Sequence, residues 1–308
     1  GVQPNSQAPT ATTDPTEMQA GAMRLHADYG GANWASSNEA LYLAATGEGF
    51  QTWLGPQRCP AVPDEEGRRY GYPCFRPGAL PIMVVLTDTS SKNGPLVSAS
   101  GTYDPSGFTM SPRGPHTFDE TRAALTGIGA RVIGVLSGAE ITSPTPRQQF
   151  DVWANETGTV DASGSPIVFE ISSDGTGLDN RIVEAIRILA EETPQDLSTE
   201  SRDGEDRPDT VGPVDARMFI KSITPVSFFD GTSNVVCPMA GLCDDQIFYD
   251  VTPGNTVRFR IRFLNDFVEP QSFGQVFLAT IVVLGNGVAE LDAREVVIVV
   301  PSGSVPIL

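Results

Sequence analysis

The residue most able to do chemistry in this sequence is an acid at the end of an apolar run. Residues from Ile82 to Leu86 are apolar and mostly branched, and Asp88 follows after one threonine. Such a run predicts a central parallel strand that is buried on both faces. Ligands of open α/β sheets bind beyond the carboxyl ends of these strands, so Asp88 is a candidate ligand for Mg²⁺ or Ca²⁺. Alternatively, its carboxylate caps the next turn at Ser90 or Ser91.

Other oxygen ligands in the sequence are weaker candidates for a metal site. Asn33, Ser36 and Ser37 could contribute neutral oxygens near Asp88, although a serine before a helix more often caps it. Two acidic runs, 174–179 and 203–209, could offer carboxylates to Ca²⁺, but neither has EF-hand spacing. We interpret the first as a turn between a strand and a helix, and the second as part of a solvated linker.

The four cysteines form two local pairs, Cys59 with Cys74 and Cys237 with Cys243. Neither pair has the spacing of a zinc site, and no histidine stands next to them. Each pair brackets a loop rich in proline and glycine, which predicts two local disulfides and an oxidising compartment. Four reduced thiols are the alternative.

The motifs of common enzymes are missing from the sequence, which contains no Gly-x-Ser-x-Gly, no His-Glu-x-x-His and no phosphate-binding loop. His26 is predicted on a short helix and His116 lies beside a proline, so we interpret both as surface residues. Trp34, Trp53 and Trp153 are predicted to be packing residues. We therefore expect a protein that is not an enzyme.

Charge and composition favour an exported protein that binds neither nucleic acid nor membranes. The 308 residues carry a net charge of −18, from 38 acids and 20 bases. No basic stripe is available to neutralise phosphates or an anionic bilayer surface. The longest apolar stretch, Val276 to Leu284, is too short to span a bilayer. The first residues lack the pattern of a signal peptide, so we expect a mature, extracellular or cell-surface form.

Strands and helices alternate in the first part of the sequence, which predicts a parallel sheet with right-handed crossovers. Residues 1–13 are expected to be extended, and a helix is predicted after Asp14. Thr117-Phe-Asp-Glu120 has the pattern of a capping box, in which a threonine and a glutamate bond each other's backbone amides. The predicted helices begin at Ser37, Thr117, Pro146 and Leu178, and the predicted strands end at Asp88, Leu136 and Ile171.

The sequence changes character after Pro194. Residues 194–213 are polar and acidic and are predicted to form a linker. Beyond them, Val257, Phe259 and Ile261 alternate with arginines, which is typical of a half-buried strand. The remaining apolar runs also have strand character, so residues 214–308 are predicted to form a small Ig-like β-sandwich.

Residues 14–193 contain several distinctive motifs, namely Gly30-Gly-Ala-Asn33, Ala44-Ala-Thr-Gly-Glu-Gly49, Gly71-Tyr-Pro-Cys74 and the strand that leads to Asp88. In this order they resemble von Willebrand factor A (vWA) domains of the integrin-β-like type found in exported bacterial proteins. In that family the terminal Asp belongs to a metal-ion-dependent adhesion site. The fold class implied is a partial vWA-like α/β domain followed by an all-β sandwich.

Two departures from the vWA pattern concern its metal site and its sheet. No Asp-x-Ser-x-Ser precedes residue 14, and Asn33-Trp-Ala-Ser36 lacks the carboxylates found there in integrin-type domains. The domain therefore looks incomplete at its N-terminus, and the strands expected beside the Asp88 strand are missing. We expect a second polypeptide or fragment to complete the sheet, because an exposed central strand is a liability.

These observations lead to three alternative functions. The first is a non-enzymatic extracellular adhesion or structural protein that acts through protein–protein contacts. The second is a subunit of a surface filament that a neighbouring chain completes. The third is a secreted metal-dependent hydrolase that uses Asp88 with other carboxylates.

Overall fold

The protein divides into two compact units, Gly1–Thr193 and Pro194–Leu308. The computed structural model describes residues 34–51, 54–61, 68–94, 114–137, 145–205, 213–229 and 232–303, together with Thr16 and Ala20. The predicted extended segment 1–13 lies outside these residues, as do Asn33, His26 and Trp53. Of the helix predicted after Asp14, only Thr16 and Ala20 are described, and both are helical.

A three-stranded parallel sheet forms the centre of the first unit. Its strands are β1 (Ile82–Thr87), β2 (Arg131–Ser137) and β3 (Val168–Ile171), in that spatial order. Strand β2 is buried along nearly its whole length. The prediction that the run before Asp88 is a central strand buried on both faces is wrong, because β1 is only partly buried and lies at the edge of the sheet formed by the described residues. The central position belongs to β2.

Helices cover both faces of this sheet, and their bounds agree with the predictions to within one or two residues. They are α1 (Ser37–Thr46), α2 (Phe118–Gly127), α3 (Pro146–Glu156) and α4 (Leu178–Glu191). The capping box of α2 is formed as predicted between Thr117 and Glu120. Helix α3 has a second box between Thr145 and Gln148, with proline at the first helical position. The capping hydrogen bonds therefore define the first residue of each of these two helices.

The two faces of the sheet have separate apolar cores. One contains Leu41, Leu125, Phe150 and Trp153 from α1–α3, and it includes Met83 of β1. In this core Phe150 packs directly on Gly134 of β2, where a Cβ atom would lie 2.8 Å from the ring.

On the opposite face of the sheet, α4 packs on β2 and β3. The core there contains Ile133, Val135, Ile167, Ala185 and Leu189. Val84 of β1 packs against the edge of this core. Side chains alternate along a strand, so Ile82 and Leu86 lie on the same face as Val84.

The second unit consists of two antiparallel sheets. The strands are β4 (Gln195–Asp203), β5 (Ile220–Phe229), β6 (Asn234–Val236), β7 (Phe248–Val251), β8 (Thr256–Phe263), β9 (Gln275–Gly285) and β10 (Ala289–Val300). The four-stranded sheet has the order β10-β9-β4-β7, and the three-stranded sheet has the order β6-β5-β8. Residues from both sheets share a core in which Leu197 and Phe248 of the first pack with Phe228 of the second.

The prediction that residues 194–213 form a linker is wrong for the first half of this segment. Residues Gln195–Asp203 form β4, which pairs with β9 along one edge and β7 along the other. Leu197 is its only fully buried residue, and most of the rest are Ser, Thr, Asp, Glu or Arg. The strand exists because its neighbours supply hydrogen bonds and burial, which a polar segment does not reveal in sequence.

Both predicted disulfides are present, Cys59–Cys74 and Cys237–Cys243, with Cα–Cα distances of 5.4 and 5.7 Å. Cys74 lies in a turn that brings Tyr70 and Phe75 into antiparallel pairing. Cys243 belongs to the core of the second unit. Each disulfide therefore closes a loop within one unit.

Candidate functional site: the carboxyl edge and the free edge of the parallel sheet

A polar cleft lies at the carboxyl ends of the three parallel strands, where ligands of α/β sheets bind. Its volume is about 450 Å³. Each strand and the start of α3 contribute to the lining, because parallel strands all end at one edge of the sheet. The lining residues are Thr87, Asp88, Leu136, Ser137, Thr145, Pro146, Arg147 and Glu170.

Asp88 lies in this cleft as predicted, and its side chain is exposed. The carboxylate does not cap the following turn. Instead the Thr87 hydroxyl accepts a hydrogen bond from Thr89 N–H at 3.2 Å and donates one to the Thr89 carbonyl at 2.9 Å. Asp88 is therefore left available to a ligand.

The other charges of the cleft belong to an ion-pair network rather than to a metal cage. Arg147 Nε lies 3.0 Å from Asp151 Oδ1, and Arg147 Nη1 lies 3.7 Å from Glu170 Oε1. Within the described residues, no group of three or more His, Cys, Asp or Glu side chains is arranged to hold a metal ion. With two carboxylates, of which Glu170 lies beside Arg147, and several hydroxyls, the cleft can offer hydrogen bonds to a polar ligand.

Ser91 fixes the loop that follows Asp88. Gln149 of α3 accepts from the Ser91 N–H at 2.6 Å and donates to the Ser91 carbonyl at 3.1 Å. The Ser91 hydroxyl accepts from the Asn38 N–H at 2.6 Å. Backbone hydrogen bonds join Ala35 to Ser90 and Lys92 on either side. The loop is thus connected to both α1 and α3.

Glu39 of α1 and His116 form a buried hydrogen-bonded pair. Glu39 accepts hydrogen bonds from His116, at 2.8 Å from the backbone N–H and 2.8 Å from Nδ1, and both residues are nearly inaccessible to solvent. The interpretation of His116 as a surface residue is therefore wrong. Gly114 permits the close approach, because its φ is +74° and a Cβ atom there would lie 2.9 Å from Glu39 Oε1.

Tyr42 completes this cluster. Its ring stacks on His116, with 3.5 Å between centroids and 14° between planes. Its hydroxyl donates to Glu48 at 3.0 Å. Burial and this hydrogen bond raise the pKa of Tyr42 to about 12, so the phenol stays neutral at physiological pH. Sequence reasoning missed the cluster because Glu39 and His116 are 77 residues apart and no local motif links them.

The predicted serine ligands lie at the start of α1. Ser36 occupies the N-cap position, but its side chain makes no capping hydrogen bond. Ser37 is the first residue of the helix. The prediction that one of these serines caps the helix is not supported, since Ser91 bonds the second helical amide instead. Trp153, by contrast, is buried in the core as predicted.

The lateral edge of β1 is the other notable feature of this unit. In the described part of the chain, β1 pairs with β2 alone. Ile82 and Leu86 are 37% and 51% exposed, although both are large and apolar. Edge strands of natural proteins usually carry charges or cover at such positions.

The sequence matches no protein-family model and has no significant match among curated proteins. The resemblance to vWA domains therefore remains a prediction. No helix in the described ranges is long and apolar enough to cross a membrane.

Proposed function

We propose that this chain is an exported, non-enzymatic protein that acts through protein–protein contacts and binds a second polypeptide along the edge of β1 that faces away from β2. The observation that carries this proposal is the exposure of Ile82 and Leu86 on a strand with one described neighbour. An adhesion or structural role fits such a protein, and the vWA resemblance supports it by analogy.

The edge of β1 offers two kinds of contact to a partner. Its backbone groups on the side away from β2 can accept an added strand through main-chain hydrogen bonds. Its even-numbered side chains add an apolar surface, on which Val84 packs against the core beneath α4 while Ile82 and Leu86 are exposed. Burial of a few hundred Å² at about 25 cal/mol per Å² would stabilise the contact by several kcal/mol.

Helix α4, which covers that face, also carries exposed apolar side chains. Val183 is 68% exposed and Ile186 is 48% exposed. A partner that pairs with β1 and extends over this face would bury apolar groups from both elements.

The polar cleft is secondary in this proposal. It lies at the carboxyl end of the same strand, so Asp88 could make a polar contact with a partner bound along β1. A hydrolase is not proposed, since no specific contact among the described residues favours a nucleophile or a general base. A neighbouring copy, as in a filament, is the alternative partner.

The test compares two substitutions of equally exposed residues. Leu86→Lys places a charge at the β1 edge, and Met218→Lys does so at a 51% exposed residue of the second unit. We expect the isolated chain to bind a hydrophobic dye and to self-associate by light scattering. Leu86→Lys should reduce both signals several-fold, whereas Met218→Lys should leave them unchanged.

A photo-crosslinker at position 86 then identifies what covers the strand in the producing cell. A single adduct from position 86, absent from position 218, would support a specific partner, and its mass would separate a second copy from another protein. A wild-type chain that is a dye-silent monomer and gives no adduct would refute the proposal.

A further inference from the structure

The two sheets of the second unit carry opposite charges. Strands β5, β6 and β8 contain no Asp or Glu, and their basic residues are Lys221, Arg258, Arg260 and Arg262. The other sheet is acidic, with Asp196, Glu200, Asp203, Asp250, Glu290, Asp292 and Glu295 on its strands. A basic sheet is unusual in a chain with a net charge of −18.

Three arginines form a row on β8. Arg258, Arg260 and Arg262 alternate with apolar residues and are all exposed. Alternate side chains of a strand lie on one face about 7 Å apart, so the guanidinium groups follow a line. No carboxylate of the described residues forms an ion pair with them. Their neighbours on β5 are the neutral Ser227, Thr224 and Ser222.

The strand that carries this row lies at the edge of its sheet in the described part of the unit. Within the described residues, β8 pairs only with β5. Its intervening side chains, such as Val257 and Phe259, pack against the core of the unit. A strand added beside β8 would therefore place alternate side chains opposite the arginines and the others opposite this apolar row.

We propose that the edge of β8 binds an extended acidic segment of another protein by strand addition. The segment would carry Asp or Glu at alternate positions, opposite Arg258, Arg260 and Arg262, with apolar residues between them. Main-chain hydrogen bonds would supply sequence-independent affinity, and the three ion pairs would select the acidic pattern and its register.

Charge complementarity favours this occupant over the alternatives. The most acidic edge strand of a second copy is β10, where a bulge between Glu290 and Asp292 breaks the alternation and Glu290 is already paired with Arg202. A nucleic acid or a sulfated polymer carries many negative charges, which the net negative charge of this protein repels. A short acidic peptide carries few charges, so this repulsion is smaller. This surface lies on the second unit and does not depend on the function proposed for β1.

The test uses the full chain and two labelled synthetic peptides of one composition. In the first, three Glu residues alternate with Val, and in the second the three Glu residues are adjacent. We expect the alternating peptide to bind about tenfold more tightly or better, because only it can oppose each arginine. N-methylation of alternate backbone amides in this peptide should abolish binding, since it removes the donors that strand addition needs.

The matched variants remove three arginines each. R258S/R260S/R262S should weaken binding of the alternating peptide about tenfold or more. R181S/R187S/R294S changes the net charge equally at exposed arginines elsewhere and should leave affinity unchanged. Circular dichroism should show that both triple variants are folded.

Several outcomes would overturn the proposal. These are failure of the alternating peptide to bind at millimolar concentration, equal affinity for both peptides, or unchanged binding after N-methylation or in R258S/R260S/R262S. Tighter, arginine-dependent binding of single-stranded DNA or heparin would instead show a polyanion site. Self-association that disappears in R258S/R260S/R262S would instead make a second copy the occupant.

Discussion

The hydroxyl of Ser91 accepts a hydrogen bond from the backbone N–H of Asn38 at 2.6 Å, so the loop after β1 caps a helix that lies 53 residues earlier in the chain. The residue at the N-cap position itself, Ser36, makes no such bond. The Ser91 side chain therefore couples the first turn of α1 to the Asp88 loop, in addition to the backbone bonds of Ala35 with Ser90 and Lys92.

This relationship predicts that Ser91→Ala destabilises the first unit by about 1–2 kcal/mol, because a buried helix amide loses its acceptor. Ser36→Ala is the matched control and should have little effect, since its hydroxyl caps nothing. Urea denaturation followed by circular dichroism measures both. Equal effects of the two substitutions would show that the cap is not specific to Ser91.

The buried pair of Glu39 and His116 predicts a larger effect. Glu39→Ala should lower the free energy of unfolding by about 3 kcal/mol or more, because both His116 donors lose their acceptor in a site closed to water. Glu39→Gln retains an acceptor oxygen and should be milder. Glu191→Ala removes an exposed partner of Arg187 and should cause no measurable change. If Glu39→Ala were as mild as the control, the pair would not contribute to stability.

The capping box of α2 predicts a dependence of stability on pH. The backbone hydrogen bond from Thr117 lowers the pKa of Glu120 below its ordinary value of 4.5. The folded state thus favours the ionised form of Glu120. Its contribution to the free energy of unfolding is present above pH 4.5 and is lost as the pH falls through the lower pKa of the folded state.

Glu120→Gln tests this dependence, because the amide keeps an acceptor but does not titrate. The stability difference between wild type and variant should shrink as the pH falls below 4.5. Gln148 occupies the same position in the box of α3, so Gln148→Glu should introduce the same dependence there. Denaturation curves measure both variants between about pH 3 and pH 7, a range that includes the titration of Glu120. A constant difference across this range would contradict the assignment.

Because β4 belongs to the second unit, we expect independent folding of that unit to require residues 194–213. A fragment of residues 194–308 should fold cooperatively, because it keeps the strand that joins β9 to β7. A fragment of residues 214–308, which starts where the sequence suggested, should lack a cooperative transition. Thermal unfolding by circular dichroism compares the two, and equal stability would show that β4 is dispensable.

Local patterns in the sequence were sufficient to predict most elements of the fold. The alternation of strands and helices predicted the parallel sheet, and the Thr117–Glu120 box fixed the start of α2 because its hydrogen bonds lie within four residues. Both disulfides close short loops, so spacing alone paired the cysteines. The apolar run and the acid after it located the carboxyl-edge cleft.

Only the tertiary structure decided which strand is central, where the second unit begins and how the site is held. The sequence of β1 is as apolar as that of a central strand, but its burial depends on its neighbours, and β2 takes the central position. The polar β4 exists through pairing with strands far along the chain. The contacts of Ser91 with Asn38 and of Glu39 with His116 join residues more than fifty positions apart, and no local pattern encodes them. Long-range burial and hydrogen bonding override local propensity at these positions.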